Sequence, residues 1–140
     1  MQLGTFGAIL KYAIEIEDST TRYYDELAKK APEGAKACIY ELSNSSKKYK
    51  QILERTRRME LQEMVLEAIT GMDTLNYAVK FDTSVDFKTG LNNAVKIEQK
   101  VSAFYSESSK KLGFLPNASR TLEKLSKERV ARIKMIKPLL

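Results

Sequence analysis

Residues 6–30 and 87–111 carry one apolar stripe twice, and its period is that of an α-helix. Phe6, Leu10, Ala13, Thr20, Tyr24 and Leu27 recur at steps of three and four, and so do Phe87, Leu91, Ala94, Val101 and Tyr105. Superposing Phe6 on Phe87 also aligns Ile16 with Ile97, Glu17 with Glu98, Glu26 with Glu107 and Lys29-Lys30 with Lys110-Lys111, at one constant offset. Each copy is followed by a short Pro/Gly-containing link, APEG or GFLPN, and then by a second periodic segment. The second segments bear Cys38/Ile39, Leu42, Tyr49 and Leu53 in one half, and Leu122, Leu125, Ile133 and Ile136 in the other. They align through Leu42-Ser43 on Leu125-Ser126, with the offset two residues longer, an insertion that the second link absorbs.

A duplicated helical hairpin follows. The spacing predicts helices over about 5–30, from the APEG link to about 59, over about 86–112 and over about 117–137. Each short link demands antiparallel packing. Hairpin 1 spans about 5–59, a crossover about 60–85 and hairpin 2 about 86–137, all within one domain over 1–140. Helices of that length run about 30–40 Å, which predicts an all-α four-helix bundle with one long crossover. Within the crossover, ELQEMVLEAI can form a helix ending near Gly71, and YAVKFDTSV reads as extended. Its apolar residues (Met64, Val65, Leu66, Ile69, Tyr77, Val79, Phe81) should pack across the bundle or against a second copy.

Composition narrows the chemistry. There is no histidine, so no Ser-His or Cys-His nucleophile, imidazole base or zincin-type metal pair can form. The single cysteine, Cys38, cannot form an intramolecular disulfide; it reads as a small buried apolar residue in a reducing compartment. The start, MQLGTFGAILKYAIEIE, lacks a basic leading segment and a cleavage site, and no stretch approaches the ~20 apolar residues of a membrane span. A cytoplasmic protein is expected. The formal charge is +6, with Lys and Arg interleaved with Glu along KKYKQILERTRR and at Arg120, Lys124, Lys127, Lys134 and Lys137. Solvated helix faces are the first reading, and a nucleic-acid surface the alternative.

The informative residues are polar ones on the core stripes. Glu17 lies between Ala13 and Thr20, and Glu98 between Ala94 and Val101. Stepping from Leu125 by three and four gives Arg129, Arg132 and Ile136, and stepping from Leu42 gives Ser46 and Tyr49. The central layers of all four helices are therefore polar, and in a bundle those layers meet. Two carboxylates and two guanidinium groups cancel in charge, so a buried cluster is tolerable where any one of them unpaired would cost several kcal/mol. A one-residue slip of the last helix would instead bring Glu128 to the cluster, while turning Leu125 and Ile136 off the core. Tyr12, Tyr23, Tyr24, Tyr40, Phe104 and Tyr105 sit at helical spacing and read as core packing rather than as an electron-transfer chain.

The pattern IE with Tyr seven residues after the Glu (IEDSTTRYY, IEQKVSAFY), on the first and third helices of a duplicated hairpin, resembles the ferritin-like superfamily, in particular its rubrerythrin-like members. The resemblance covers nearly the whole chain. It implies that Glu17 and Glu98 match single-Glu ligands of a di-iron or di-manganese centre, whose other ligands are an E-x-x-H pair on each remaining helix. Those pairs fall on Ser46 and Tyr49 (LSNSSKKYKQIL) and on Arg129 and Arg132 (LSKERVARIKMI). All four ligands are missing, and two carboxylates fall short of the about six oxygen donors that such ions usually take. The expectation is a ferritin-like bundle with no catalytic, cofactor or metal residues, in which Glu17, Ser46, Tyr49, Glu98, Arg129 and Arg132 form a polar cluster in place of the metal. Its role would be that of a binding or scaffold protein with an unidentified protein partner. The resemblance also implies pairing into a homodimer. Two other classes stay open: a metal-dependent peroxidase or ferroxidase with iron or manganese recruited by Glu17, Glu98 and Glu128, and a nucleic-acid binder.

Overall fold

The computed structural model describes residues 1–61 and 69–140. Four helices account for most of them: α1 (Phe6–Lys30), α2 (Glu33–Leu61), α3 (Phe87–Lys111) and α4 (Pro116–Ile136). Their ends have local causes. Thr5 caps α1 by accepting from Ala8 N (3.1 Å), and Asp86 caps α3 by accepting from Thr89 N (3.2 Å), each satisfying an otherwise orphaned donor. Pro116 opens α4, where its missing N–H costs nothing. α1 stops at Ala31, which takes the extended conformation demanded by Pro32.

α1 packs against α2 and α3 against α4, and the two hairpins meet through α1 with α3 and α2 with α4. The facing pairs run antiparallel. Tyr24 meets Glu98 while Glu17 meets Tyr105 across α1 and α3, and Arg132 reaches Ser46 while Cys38 lies at Met135 across α2 and α4. The predicted all-α bundle of two antiparallel hairpins is the observed one. Gly90 permits a close approach here: a Cβ at this position would lie 2.5 Å from Leu27 Cδ1, and Tyr23 Oη donates to the Gly90 carbonyl (2.6 Å).

The described part of the crossover crosses α1 and α3. Tyr77 packs edge-on against Phe104 and Phe81 against Tyr23, while Lys30 Nζ donates to the carbonyls of Thr83 and Val85. The helix-capable 60–69 piece, with Met64, Val65 and Leu66, lies almost wholly outside the described residues; Ile69 is buried. Tyr77 ends a 3-10 turn (Thr74–Tyr77) instead of opening an extended run. The N-terminus joins the crossover: Leu3 N donates to Met72 O and Ile69 N to Gly4 O, Gln2 and Asp73 form an isolated antiparallel bridge, and Leu3 is buried.

The expected packing of four residues needs correction. Tyr40 is 45% exposed, since it lies one position beyond Ile39, which takes the core. Cys38 is only half-buried for the same reason, its Sγ 3.8 Å from the Met135 carbonyl. Phe87 and Ile133 lie at the stripe edges and are half-buried. Among the described residues no helix is long and apolar enough to cross a membrane.

Candidate functional site

The polar layer lies at mid-bundle, where each helix contributes at the height its stripe dictates. Glu17, Glu98, Ser46, Thr20 and Arg129 have no exposed surface, and Arg132 and Tyr49 are also buried. Arg129 is the hub. Its Nη1 donates to Glu98 Oε2 (2.9 Å), and its Nη2 to Glu17 Oε1 and Oε2 (2.5 and 2.8 Å) and to Thr20 Oγ1 (3.2 Å). One guanidinium thus bridges carboxylates from two helices. Arg132 completes the balance: its Nη1 donates to Glu98 Oε1 (3.2 Å), and its Nη2 to the Leu42 carbonyl (2.6 Å) and Ser46 Oγ (2.8 Å). Its Cζ lies over the Tyr49 ring, 4.8 Å from the centroid, a cation–π contact.

Two tyrosines close the set reciprocally. Tyr24 Oη donates to Glu98 Oε1 (2.6 Å) and Tyr105 Oη to Glu17 Oε2 (2.5 Å). Because the tyrosines are repeat equivalents on antiparallel helices, each necessarily meets the other repeat's carboxylate. Burial, reinforced by Glu98, pushes the Tyr24 hydroxyl well above its ordinary value; burial and Glu17 do the same to Tyr105. Burial opposes the charge on Arg129, but Glu17 and Glu98 outweigh it and hold the guanidinium well above its usual range. Tyr49 is pushed up by burial and by the neighbouring Glu128. Both arginine Nε–H groups have no partner among the described residues.

The pseudo-symmetry of the hairpins breaks at one place. Ser46 and Tyr49 in α2 are the equivalents of Arg129 and Arg132 in α4, so both cations come from one helix. The small Ser46 and the Tyr49 ring provide the acceptor and the aromatic face that receive Arg132. The structure thus brings Glu17, Ser46, Tyr49, Glu98, Arg129 and Arg132 to one layer. Glu128 is half-buried beside Tyr49, and Leu125 and Ile136 stay in the core, so the slipped register does not occur. Helical spacing alone marks Tyr24 and Tyr105 as packing residues; the seven-residue step from each Glu is the signal that marks them as hydrogen-bond donors too.

A pair of divalent cations does not fit this donor set. Ser46, Tyr49, Arg129 and Arg132 supply no carboxylate or imidazole, and the oxygens of Glu17 and Glu98 already accept from guanidinium and phenol donors. A cation between them would also face two fixed positive charges. No group of three or more His, Cys, Asp or Glu side chains gathers among the described residues.

No protein-family profile matches the chain, and no curated protein matches it in sequence. Among solved structures it is similar to a crystal structure from Thermotoga maritima, of a protein provisionally described as a ferritin-like diiron-carboxylate protein, with a TM-score of 0.77 at 20% identity. The match covers 95% of this chain and 92% of that one. At that identity the likeness establishes architecture alone: the chain has the ferritin-like four-helix fold.

Proposed function

We propose that this protein is a non-catalytic, rubrerythrin-like member of the ferritin-like superfamily, in which a guanidinium–carboxylate cluster stands where relatives hold two metal ions. The observation that carries the reading is Arg129, whose guanidinium bridges Glu17 and Glu98 with no exposed surface. A fixed internal cation removes the need for iron or manganese to neutralise the two carboxylates, and it removes redox chemistry with it. What remains is a helical bundle with a net basic charge, suited to a binding or scaffold role in the cytoplasm, alone or as a homodimer.

Metal analysis tests this. Protein purified from cells grown with added iron and manganese is expected to carry both far below one ion per chain, and to show no ligand-to-metal absorption. Near-stoichiometric iron or manganese would overturn the proposal and favour the peroxidase or ferroxidase reading.

A further inference from the structure

The crossover segment Ala78–Asp82 is held at both ends and free between them. Tyr77 is buried against Phe104, Phe81 packs on Tyr23, and Lys30 ties down Thr83 and Val85. Ala78 has extended dihedrals. Exposure alternates through the segment, with Val79 and Phe81 half-buried and Ala78, Lys80 and Asp82 exposed, the period of a strand lying on a surface. Among the described residues no backbone hydrogen bond engages Ala78–Asp82. It is a short extended edge with no backbone partner among the described residues.

Grooves flank it on both sides, and charge distinguishes them. On the α1 side the groove carries Glu15 and no cation. On the α3 side a groove of about 320 Å³ carries Lys80, Lys96 and Lys100, with Val79 and Ile97 as its apolar lining and Asn93 at one end. None of the three lysines forms an ion pair among the described residues. Asp82, the one carboxylate there, accepts from Ser84 N and Oγ through Oδ1 (2.9 and 2.6 Å) and lies near Lys80, leaving one carboxylate against three lysines. Lys96 and Lys100 are four residues apart on α3, a like-charge spacing that destabilises a helix unless something anionic answers it.

We propose that this groove binds an extended acidic peptide segment, its backbone paired to the free edge of Ala78–Asp82 and its carboxylates on Lys80, Lys96 and Lys100. The dimensions agree. Lys96 and Lys100 are about 6 Å apart along the helix axis, and side chains two apart on an extended strand are spaced about 6.8 Å, so acidic residues at alternate positions can meet both. Strand addition draws affinity from the main chain and specificity from alternate side chains. A nucleic acid would satisfy the lysines but not the strand edge, and the lining presents aliphatic groups instead of the aromatic faces on which bases stack. The proposal supplies a partner class for the binding role above and rests on that reading only for its biological sense. Metal at the cluster would overturn the earlier reading without touching the groove, and a failed peptide would leave the cluster untouched.

The test uses the full chain, isotope-labelled, titrated at low salt with a fluorescein-labelled octapeptide alternating Glu and Val. A Lys–Val peptide and a decathymidine oligonucleotide serve as comparisons. The Glu–Val peptide is expected to shift the amides of Ala78–Asp82 and of α3 around Asn93–Lys100, and the Lys–Val peptide to shift neither. Lys96→Gln with Lys100→Gln, both on an exposed helix face, should weaken binding about fivefold, the scale of two exposed ion pairs. Equal affinity in the double variant, shifts confined to another face, or preference for the oligonucleotide at this groove would each overturn the proposal.

Discussion

Replacing Arg129 with alanine is expected to destabilise the bundle by about 3–5 kcal/mol, the range for abandoning one side of a buried ion pair. The loss reflects what is left behind. Of the two carboxylates Arg132 reaches only Glu98, so Glu17 would remain buried with no cation, supported by the Tyr105 hydroxyl alone, and the layer would carry a net negative charge. A domain of this length is stable by roughly 7–20 kcal/mol, so the variant should still fold, with a melting temperature lowered by about 10 °C or more. Thermal and urea unfolding measure it. Arg120→Ala is the control: that side chain is exposed and, among the described residues, hydrogen-bonds only Asn117 Oδ1, and its loss should stay within about 0.5 kcal/mol. Adding Glu17→Gln to Arg129→Ala should restore part of the stability, because it removes the stranded charge; a coupling of about 1–3 kcal/mol is expected. Additive effects, or an Arg129→Ala no worse than Arg120→Ala, would place Arg129 outside a dry cluster.

Alkaline pH should unfold the protein through its tyrosines. Tyr24 and Tyr105 hold their protons well above the ordinary value of 10.0 because they are buried beside carboxylates, whereas in the unfolded chain they ionise near 10. The folded state therefore binds more protons above pH 10, and stability falls as pH rises. The contribution is present below pH 10 and declines by about 1 kcal/mol for each tyrosine between pH 10 and 11, or about 2 kcal/mol for the pair, approaching about 1.4 kcal/mol per pH unit each above that. Tyr23, pushed up to about 12 by burial and by Asp82, adds to the slope over the same interval. Urea unfolding at pH 9, 10 and 11 should show the decline, and Tyr24→Phe with Tyr105→Phe should flatten it. Flat stability in the wild-type chain would mean that these hydroxyls reach water.

The cluster was legible in the sequence because a bundle converts a stripe position into a height. Glu17 and Glu98 interrupt apolar stripes at repeat-equivalent positions, and Arg129 and Arg132 do so at the height that faces them, so periodicity alone places them on one layer. The stripe position of Tyr24 and Tyr105 does not separate them from packing, since an aromatic ring on a core stripe looks the same whether or not its hydroxyl has a partner; only their seven-residue step from Glu17 and Glu98 carries the donor role. Neighbouring positions blurred the edges: Cys38, Ile39 and Tyr40 compete for one stripe, and only Ile39 enters the core. The pairing of Leu3 with Met72 was invisible for a different reason. It runs through backbone groups, which every residue carries, and it joins segments far apart in the chain. The free edge at Ala78–Asp82 escapes a sequence reading too, because alternation over five residues does not say whether a strand finds a partner.

Crystals grown with excess manganese(II), measured for anomalous scattering, test the central claim most directly. The account predicts no anomalous peak between Glu17 and Glu98, and planar guanidinium density for Arg129 within hydrogen-bonding distance of both carboxylates. A peak coordinated by Glu17 and Glu98, with Arg129 swung out of the layer, would contradict it.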